Sequence, residues 1–420
     1  MRALSKLRWL VAAILPVLLA AEAAGAARGW PMRRQGKDLL IETPHYSIQT
    51  DLGPEIGQTI ARHQEALYAE LYRRMGKIKS RGKMTDRLNV LVFETYERYR
   101  RELGSDVENT AGIFIPYKDV LACWGPADRL DRILQLLRHE GTHQFVRHFI
   151  GKECPVWLNE GLAQFYEHGQ IRGDRLEVGA VIPGKLARLK RAIEQGETIL
   201  LDRMLRMSNT EWVGAVHSGA THAGLQYDQA WAMVHFLAYG GGKKYQGAFF
   251  QFIYYLARGR EPWRAWERVF GTDYDGFEKH WREYVRDLEP SSDLECRLHL
   301  EMLGRLLYWA RDKKELITDI VTFRRAVLDG KLGMWSMTTS DGLRIAGDDT
   351  EQLASLFKCP GDERPDAETS YELVSNPDGG TPILRCSHHG GLVFETRYVK
   401  DPESGEVDVK VVALPAKPGK

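Results

Sequence analysis

Residues 136–145 read LLRHEGTHQF, with His139 and His143 four apart and Glu140 directly after the first histidine. On an α-helix, residues four apart share a face about one turn apart, so two imidazoles can meet on one ion while Glu140 projects beside them. Zinc at a hydrolytic centre takes three protein ligands and keeps one position for water. The metal lowers that water's pKa, and a neighbouring carboxylate can accept its proton as it attacks a carbonyl. The pattern therefore points to metal-assisted hydrolysis, with His139 and His143 as ligands and Glu140 as base. So short a motif also arises by accident, often on charged, solvent-facing helices. Here it lies in an amphipathic run between Leu137 and Phe145, where burying two histidines and a glutamate asks for compensation.

A third ligand must come from elsewhere. The extended form HExxHxxGxxH fails, because position 146 is Val and position 149 is Phe. His148 lies five residues past His143 and points to another side of the helix, which marks it as structural. Downstream stand Glu153, Glu160, Glu167 and His168. Glu160 is the best chemical choice, a lone acid inside the apolar segment PVWLNEGLAQFYE, as a helix packed on the motif helix would show. Glu167 and His168 fall nearer its exposed end.

HEGTH followed by WLNEGLAQF resembles the gluzincin peptidases, in which a glutamate from a Trp-Leu-Asn-Glu-Gly helix joins the two histidines. The membrane alanyl aminopeptidases share that segment, but this chain has fewer residues between His143 and Glu160 than they do. It also has no Gly-x-Met-Glu-Asn segment upstream. It is more similar to the peptidase-MA-like group of bacterial exported proteins, through the TPHYSIQTD opening, the two zinc motifs and the VFG…FEKHWREYV ending. That resemblance spans roughly residues 40 to 290 and implies a zincin-like catalytic domain with His139, His143 and Glu160 around one Zn2+ per chain. It also implies an oxyanion-donating tyrosine after the glutamate helix, and Tyr227 in GLQYDQAWAMVHFL matches that place. A phenol suits the role, being polar yet neutral at working pH. A core or capping tyrosine is the plainer alternative. His217 and His222, in the loop before it, are candidates for substrate contact or ordinary loop histidines. Gln164, one turn past Glu160, is a candidate for orienting a ligand imidazole.

The elements that must position these groups can be read in outline as an α+β chain. LLIETPHYSIQTD and RLNVLVFET carry strand patterns, and AGIFIPYKDVLACWGP reads as a strand or hairpin. Between the first two, EIGQTIARHQEALYAELYRRM spaces Ile56, Ile60, Leu67 and Leu71 as a helix does. Pro126 and Asp128 open the motif helix, with Leu130, Ile133, Leu134 and Leu137 as its apolar stripe, and the glutamate helix begins near Pro155. Four more helices follow between residues 228 and 288, and the glycines at 240–242 stop one of them rather than bind a nucleotide. One or two helices over about 295–329 then lead to short strands and a closing hairpin. In it Leu392, Phe394 and Tyr398 alternate with polar residues, as do Val407, Val409 and Val411 across the turn at 401–405. His388 and His389 lie beside it as surface residues. The division expected is a small sheet part at 27–125, a helical part at 126–290 that completes the zincin-like domain, and a C-terminal α+β module at 295–420.

Composition narrows the function classes. A 420-residue chain with 43% hydrophobic and 27% charged residues can bury more than one core, and its net charge of +1, without a basic run, gives nucleic acid no footprint. Residues 1–26 read as a signal peptide: basic Arg2, Lys6 and Arg8, an apolar stretch from Trp9 to Ala20, then Ala24-Gly25-Ala26. The apolar run is shorter than the roughly 20 residues a spanning helix needs, so an uncleaved anchor is the weaker reading. The expected protein is exported, periplasmic or secreted, without stable membrane insertion. In that compartment Cys123 with Cys154, or Cys359 with Cys386, could pair; the odd count leaves at least one thiol, sequence alone does not choose, and buried free thiols are the alternative.

The reading that absorbs most of these residues is a zinc metallopeptidase acting on a peptide or protein substrate. A catalytically silent zincin-fold binding or scaffold protein of the cell envelope is the alternative, though it would have no use for Glu140. A chain with no metal would need both motifs and the Tyr227 spacing to be coincidences.

Overall fold

Six strands near the N-terminus form one mixed sheet in the computed structural model, which describes residues 29–75, 87–108, 110–173, 175–217, 222–313, 315, 317–333, 335–339, 344–360, 362, 369–377, 379–389, 392–400 and 407–415. The signal-like segment lies outside these residues, as does the turn at 401–405. The strands are β1 (Met32–Gln35), β2 (Asp38–Glu42), β3 (Tyr46–Thr50), β4 (Leu88–Phe93), β5 (Gly112–Ile115) and β6 (Val120–Trp124), in the order β1-β2-β3-β4-β6-β5. The first strand segment read from sequence is thus two antiparallel strands, with Ile41 opposite Ile48. Pro44 ends β2 because it has no N–H for the ladder, and the Thr43 side chain closes the turn by accepting from the Tyr46 amide at 2.9 Å. The next two pairings are parallel, β3 with β4 and β4 with β6, while β5 returns antiparallel on β6 as the edge.

Parallel neighbours need a crossover, and α1 (Pro54–Met75) supplies it between β3 and β4. Its Ile60, Leu67 and Leu71 are fully buried, as the helical spacing predicts. After α2 (Tyr96–Leu103), the motif helix α3 (Leu130–Phe149) packs on α1, β5 and β6. Ile133, Leu137 and Phe145 form its core stripe, and Phe145 stacks on Phe149 with Tyr68 edge-on to both. Each such side chain contributes about 1.5–3 kcal/mol by burial, enough to fix the rotation of α3 and turn its other face to the site.

The glutamate helix α4 (Val156–Glu167) starts after Pro155 and lies against α3, and a small hairpin of β7 (Gln170–Arg172) and β8 (Arg175–Glu177) follows. Three helices that the sequence reading passed over come next: α5 (Pro183–Gln195), α6 (Leu201–Arg206) and α7 (Asn209–His217). The four expected helices are α8 (His222–Lys243), α9 (Gln246–Ala257), α10 (Pro262–Phe270) and α11 (Tyr274–Asp287). The helical dihedrals of α8 break at Gly240–Gly242, so those glycines do stop it.

Contacts divide the chain into two units: residues up to Gly179 with Thr198–Tyr284, and Ala180–Glu197 with Val285–Lys420. The second holds α5, α12 (Ser292–Asp312), α13 (Ile320–Leu328), the β9 (Ser336–Thr338) and β10 (Arg344–Ala346) pair and α14 (Thr350–Leu356). It also holds an antiparallel sheet of β11 (Glu372–Val374), β12 (Ile383–His389), β13 (Leu392–Lys400) and β14 (Val407–Pro415). The closing hairpin pairs as its alternation suggests, with Tyr398 opposite Val409. Its core gathers Leu300, Leu303, Phe323, Phe357, Leu384 and Phe394. Among the described residues no helix is long and apolar enough to cross a membrane.

Candidate metal centre

His139, Glu140 and His143 occupy the half-buried face of α3, opposite the stripe that carries Leu137 and Phe145. Gly141, on the buried stripe, keeps α3 close to α1: a Cβ there would stand 2.9 Å from Leu67 Cδ2, a side-chain tip that would have to shift. The third residue, Glu160, projects from α4, and Gly161 beside it has the same use. A Cβ at 161 would meet the Ala230 carbonyl oxygen of α8 first, then Val234 Cγ2 at 2.8 Å and the Ala230 carbonyl carbon at 2.9 Å, so α4 and α8 approach backbone to backbone only without it. Each glutamate of the two motifs is therefore followed by a glycine that seats its helix.

The structure brings the predicted trio together. Ligand atoms of His139, His143 and Glu160 all lie within 4.8 Å of one another. Glu160 Oε2 is 3.8 Å from His139 Nε2 and 3.7 Å from His143 Nε2. Tetrahedral zinc with bonds of ~2.1 Å holds its ligand atoms about 3.4 Å apart, so the separations found are near what one ion would span. They are too long for hydrogen bonds. Two imidazole nitrogens and a carboxylate oxygen are also a donor set that zinc accepts. The residues fit the ion.

Charge around the trio favours a cation as well. Burial works against the charged form of His139, but Glu167, Glu140 and Glu160 together hold its pKa above the usual histidine value. Its other nitrogen, Nδ1, is 3.3 Å from Glu167 Oε2, a carboxylate–imidazole contact that would present Nε2 to an ion. Glu167 is fixed in turn, its Oε1 accepting from Gln135 Nε2 at 2.7 Å and its carbonyl from Arg138 Nε at 2.8 Å. Glu167 thus takes the orienting place for which the sequence reading offered Gln164. Its signal was its spacing, two turns past Glu160 on the same face of α4. Among the described residues His143 has no such support, and its Nδ1 is buried without a hydrogen-bond partner.

Glu140 stands beside the trio, its Oε2 accepting from the Phe114 amide of the edge strand β5 at 2.9 Å. Sequence reasoning could not foresee that contact, because a backbone donor leaves no mark on residue type. Tyr227 feels the charge of the same carboxylates. Burial raises its phenol above the ordinary tyrosine pKa and Glu160 and Glu140 add to the rise, so the ring stays a neutral donor. It sits a turn inside α8 rather than at its start, with Trp212 of α7 edge-on at 5.2 Å between ring centres.

The passed-over candidates fall elsewhere. His148 Nε2 meets Asp119 Oδ1 at 2.9 Å, the structural place predicted for it. His168 Nε2 lies 3.2 Å from Gln135 Nε2, and Glu153 lines a cavity of about 610 Å³ with Arg206 and Trp263, whose walls include none of the trio. The side chains of His217, His222, His388 and His389 lie outside the described residues.

Residues 133–263 match the model of a family described only as a protein of unknown function, DUF1570. That stretch runs from α3 into α10 and contains the trio, Glu140, Glu167 and Tyr227. No curated protein matches the chain.

Proposed function

We propose that this chain is a zinc-dependent peptidase of zincin-like fold, exported by its N-terminal leader, that hydrolyses peptide bonds. The observation that carries the reading is the convergence of His139, His143 and Glu160 with a carboxylate, Glu140, that is not needed as a ligand. Zinc bound by the trio would supply Lewis acidity and lower the pKa of water at the site. Glu140 takes a proton from the attacking water and passes it toward the leaving nitrogen. Tyr227 donates from its hydroxyl to the carbonyl oxygen as negative charge develops there. Glu167 holds the His139 ring in one orientation throughout.

A peptide suits the neighbourhood better than a small ester or amide. β5 is the last strand of the six-stranded sheet, and an edge strand can pair with an extended chain through its backbone groups. Its Phe114 amide already reaches the Glu140 carboxylate, so a chain paired there would lie beside the base.

Elemental analysis of the purified chain should find about one zinc per molecule, lost in His139→Ala. Glu140→Gln should keep the zinc and lose about 10²–10⁴ in turnover of a peptide library. Zinc without turnover in the wild type would favour the binding-protein alternative, and no zinc after reconstitution would end the proposal.

A further inference from the structure

Away from the proposed metal centre, three cysteines from three elements converge in the core of the second unit. Cys296 lies on α12, Cys359 follows α14 and Cys386 sits in β12. Their sulfurs all fall within 4.8 Å of one another, and all three residues are at most 2% exposed. Cys296 is the hub, with its Sγ 3.0 Å from that of Cys359 and in contact with Cys386 as well. A disulfide bond measures ~2.05 Å, so a shift of about 1 Å would join the closer pair. Cys123 and Cys154 belong to the first unit and take no part.

Two chemistries could use such a trio, and charge separates them. Three thiolates around a divalent ion keep one net negative charge, and around a monovalent ion two. Among the described residues Leu300, Phe357, Leu384 and Phe394 line the place, with the Tyr371 hydroxyl 4.0 Å from Cys296 Sγ and the Ser370 hydroxyl accepting from the Cys359 amide. His299, one turn along α12, offers no compensating charge: burial lowers its pKa, and its Nδ1 meets the Lys358 carbonyl. An isolated charge in such a place is costly, whereas a disulfide and a protonated thiol carry none. The neighbouring sulfurs and burial push the Cys296 thiol far up, which holds it neutral until it is oxidised.

We propose that Cys296 and Cys359 are joined by a disulfide that staples α12 to the segment after α14, with Cys386 kept as a thiol against the bridge. The oxidant is an organic disulfide, such as that of an exported thiol oxidoreductase. A thiolate attacks one of its sulfurs and releases a first thiol, and the second cysteine then attacks the mixed disulfide and releases the other. One S–S bond forms as one breaks, and two electrons and two protons pass to the acceptor. Since the sulfurs are buried, exchange takes place before the core closes, and the finished bridge is shielded from thiols in solution. The link closes a span of 63 residues that includes α13 and α14.

The test uses the full chain passed by a host leader into the bacterial periplasm, then denatured with iodoacetamide and no reductant. Mass mapping should find Cys123, Cys154 and Cys386 alkylated and a peptide joining Cys296 to Cys359. Dithiothreitol should leave that peptide intact in the native chain and remove it after unfolding. Cys386→Ser should retain the link. Five alkylated cysteines would overturn the assignment, with or without a copurifying metal, and so would a bridge that uses Cys386.

Discussion

Replacing Gly161 by alanine adds one methyl group, and two opposed effects follow. Taken alone, alanine is the better helix former by about 0.8–1.0 kcal/mol. At this position, however, the new carbon would lie 2.9 Å from the Ala230 carbonyl carbon, whereas ordinary contact begins near 3.4 Å. The obstacle is the backbone of α8, which cannot turn aside as a side-chain tip can, so α4 must move by at least about half an ångström. Overpacking of this kind costs about 1–3 kcal/mol, which outweighs the propensity gain. Glu160 is the preceding residue and moves with α4, while metal ligands tolerate only about 0.2 Å. Zinc affinity should therefore fall about 10-fold or more, as when other supports of a ligand are lost. Gly247→Ala is the control, since a Cβ there meets nothing within 4 Å among the described residues, and it should leave both properties nearly unchanged or raise stability slightly. Denaturant unfolding and chelator competition read the two effects. If Gly161→Ala bound zinc like the wild type and gained stability, the account of how α8 seats Glu160 would be refuted.

Three further outcomes follow from the same geometry. Glu167→Gln should weaken zinc about 10–100-fold with the fold retained, and the metal-free His139 should titrate lower, as NMR would show. An unchanged affinity would reduce Glu167 to a tie between α3 and α4. Tyr227→Phe should lower kcat about 10²–10³-fold with KM little changed, and a change in KM alone would assign the hydroxyl to substrate binding. Acid should act through His235, which is buried between the Tyr284 hydroxyl and the Gly179 carbonyl, with burial lowering its pKa to about 4. The unfolded chain takes up this proton near pH 6.5 and the folded chain only near 4, so stability should fall as pH drops through that window. The limit is about 3 kcal/mol at its lower end. His235→Gln should flatten that slope in denaturant unfolding followed against pH, and an unchanged slope would assign the acid sensitivity to other groups.

What could be read from the sequence was the part whose chemistry fixes its spacing. His139, Glu140 and His143 must share a helical face, and an acid isolated in an apolar segment, Glu160, needs a reason to be there. Glu167 was in view as a candidate ligand two turns past Glu160, but its pairing with His139 stayed hidden because it depends on how α3 crosses α4. The Phe114 amide stayed hidden because every residue but proline has one. Helix α5 was legible and went unread: Pro183 opens it, Leu186, Leu189 and Ile193 follow at helical spacing, and Gly196 caps it in a left-handed conformation. The meeting of Cys296 with Cys359 and Cys386 rests on contacts more than sixty residues apart for the closer pair, and sequence offers no means to choose among such partners.

The route of the chain gives α5 an unusual history. It belongs with residues from Val285 onward, yet it is made before most of the helical half of the first unit. At roughly 5–20 residues per second, the ribosome needs about 5–20 s to pass from the end of α5 to the start of α12. For that interval Leu186, Leu189 and Ile193 have no companions from the second unit. Until then the apolar face of this otherwise strongly charged helix invites a holding chaperone. A shortened chain ending near residue 290 would leave α5 waiting for good, so trimming the C-terminal part should cost solubility as well as a domain.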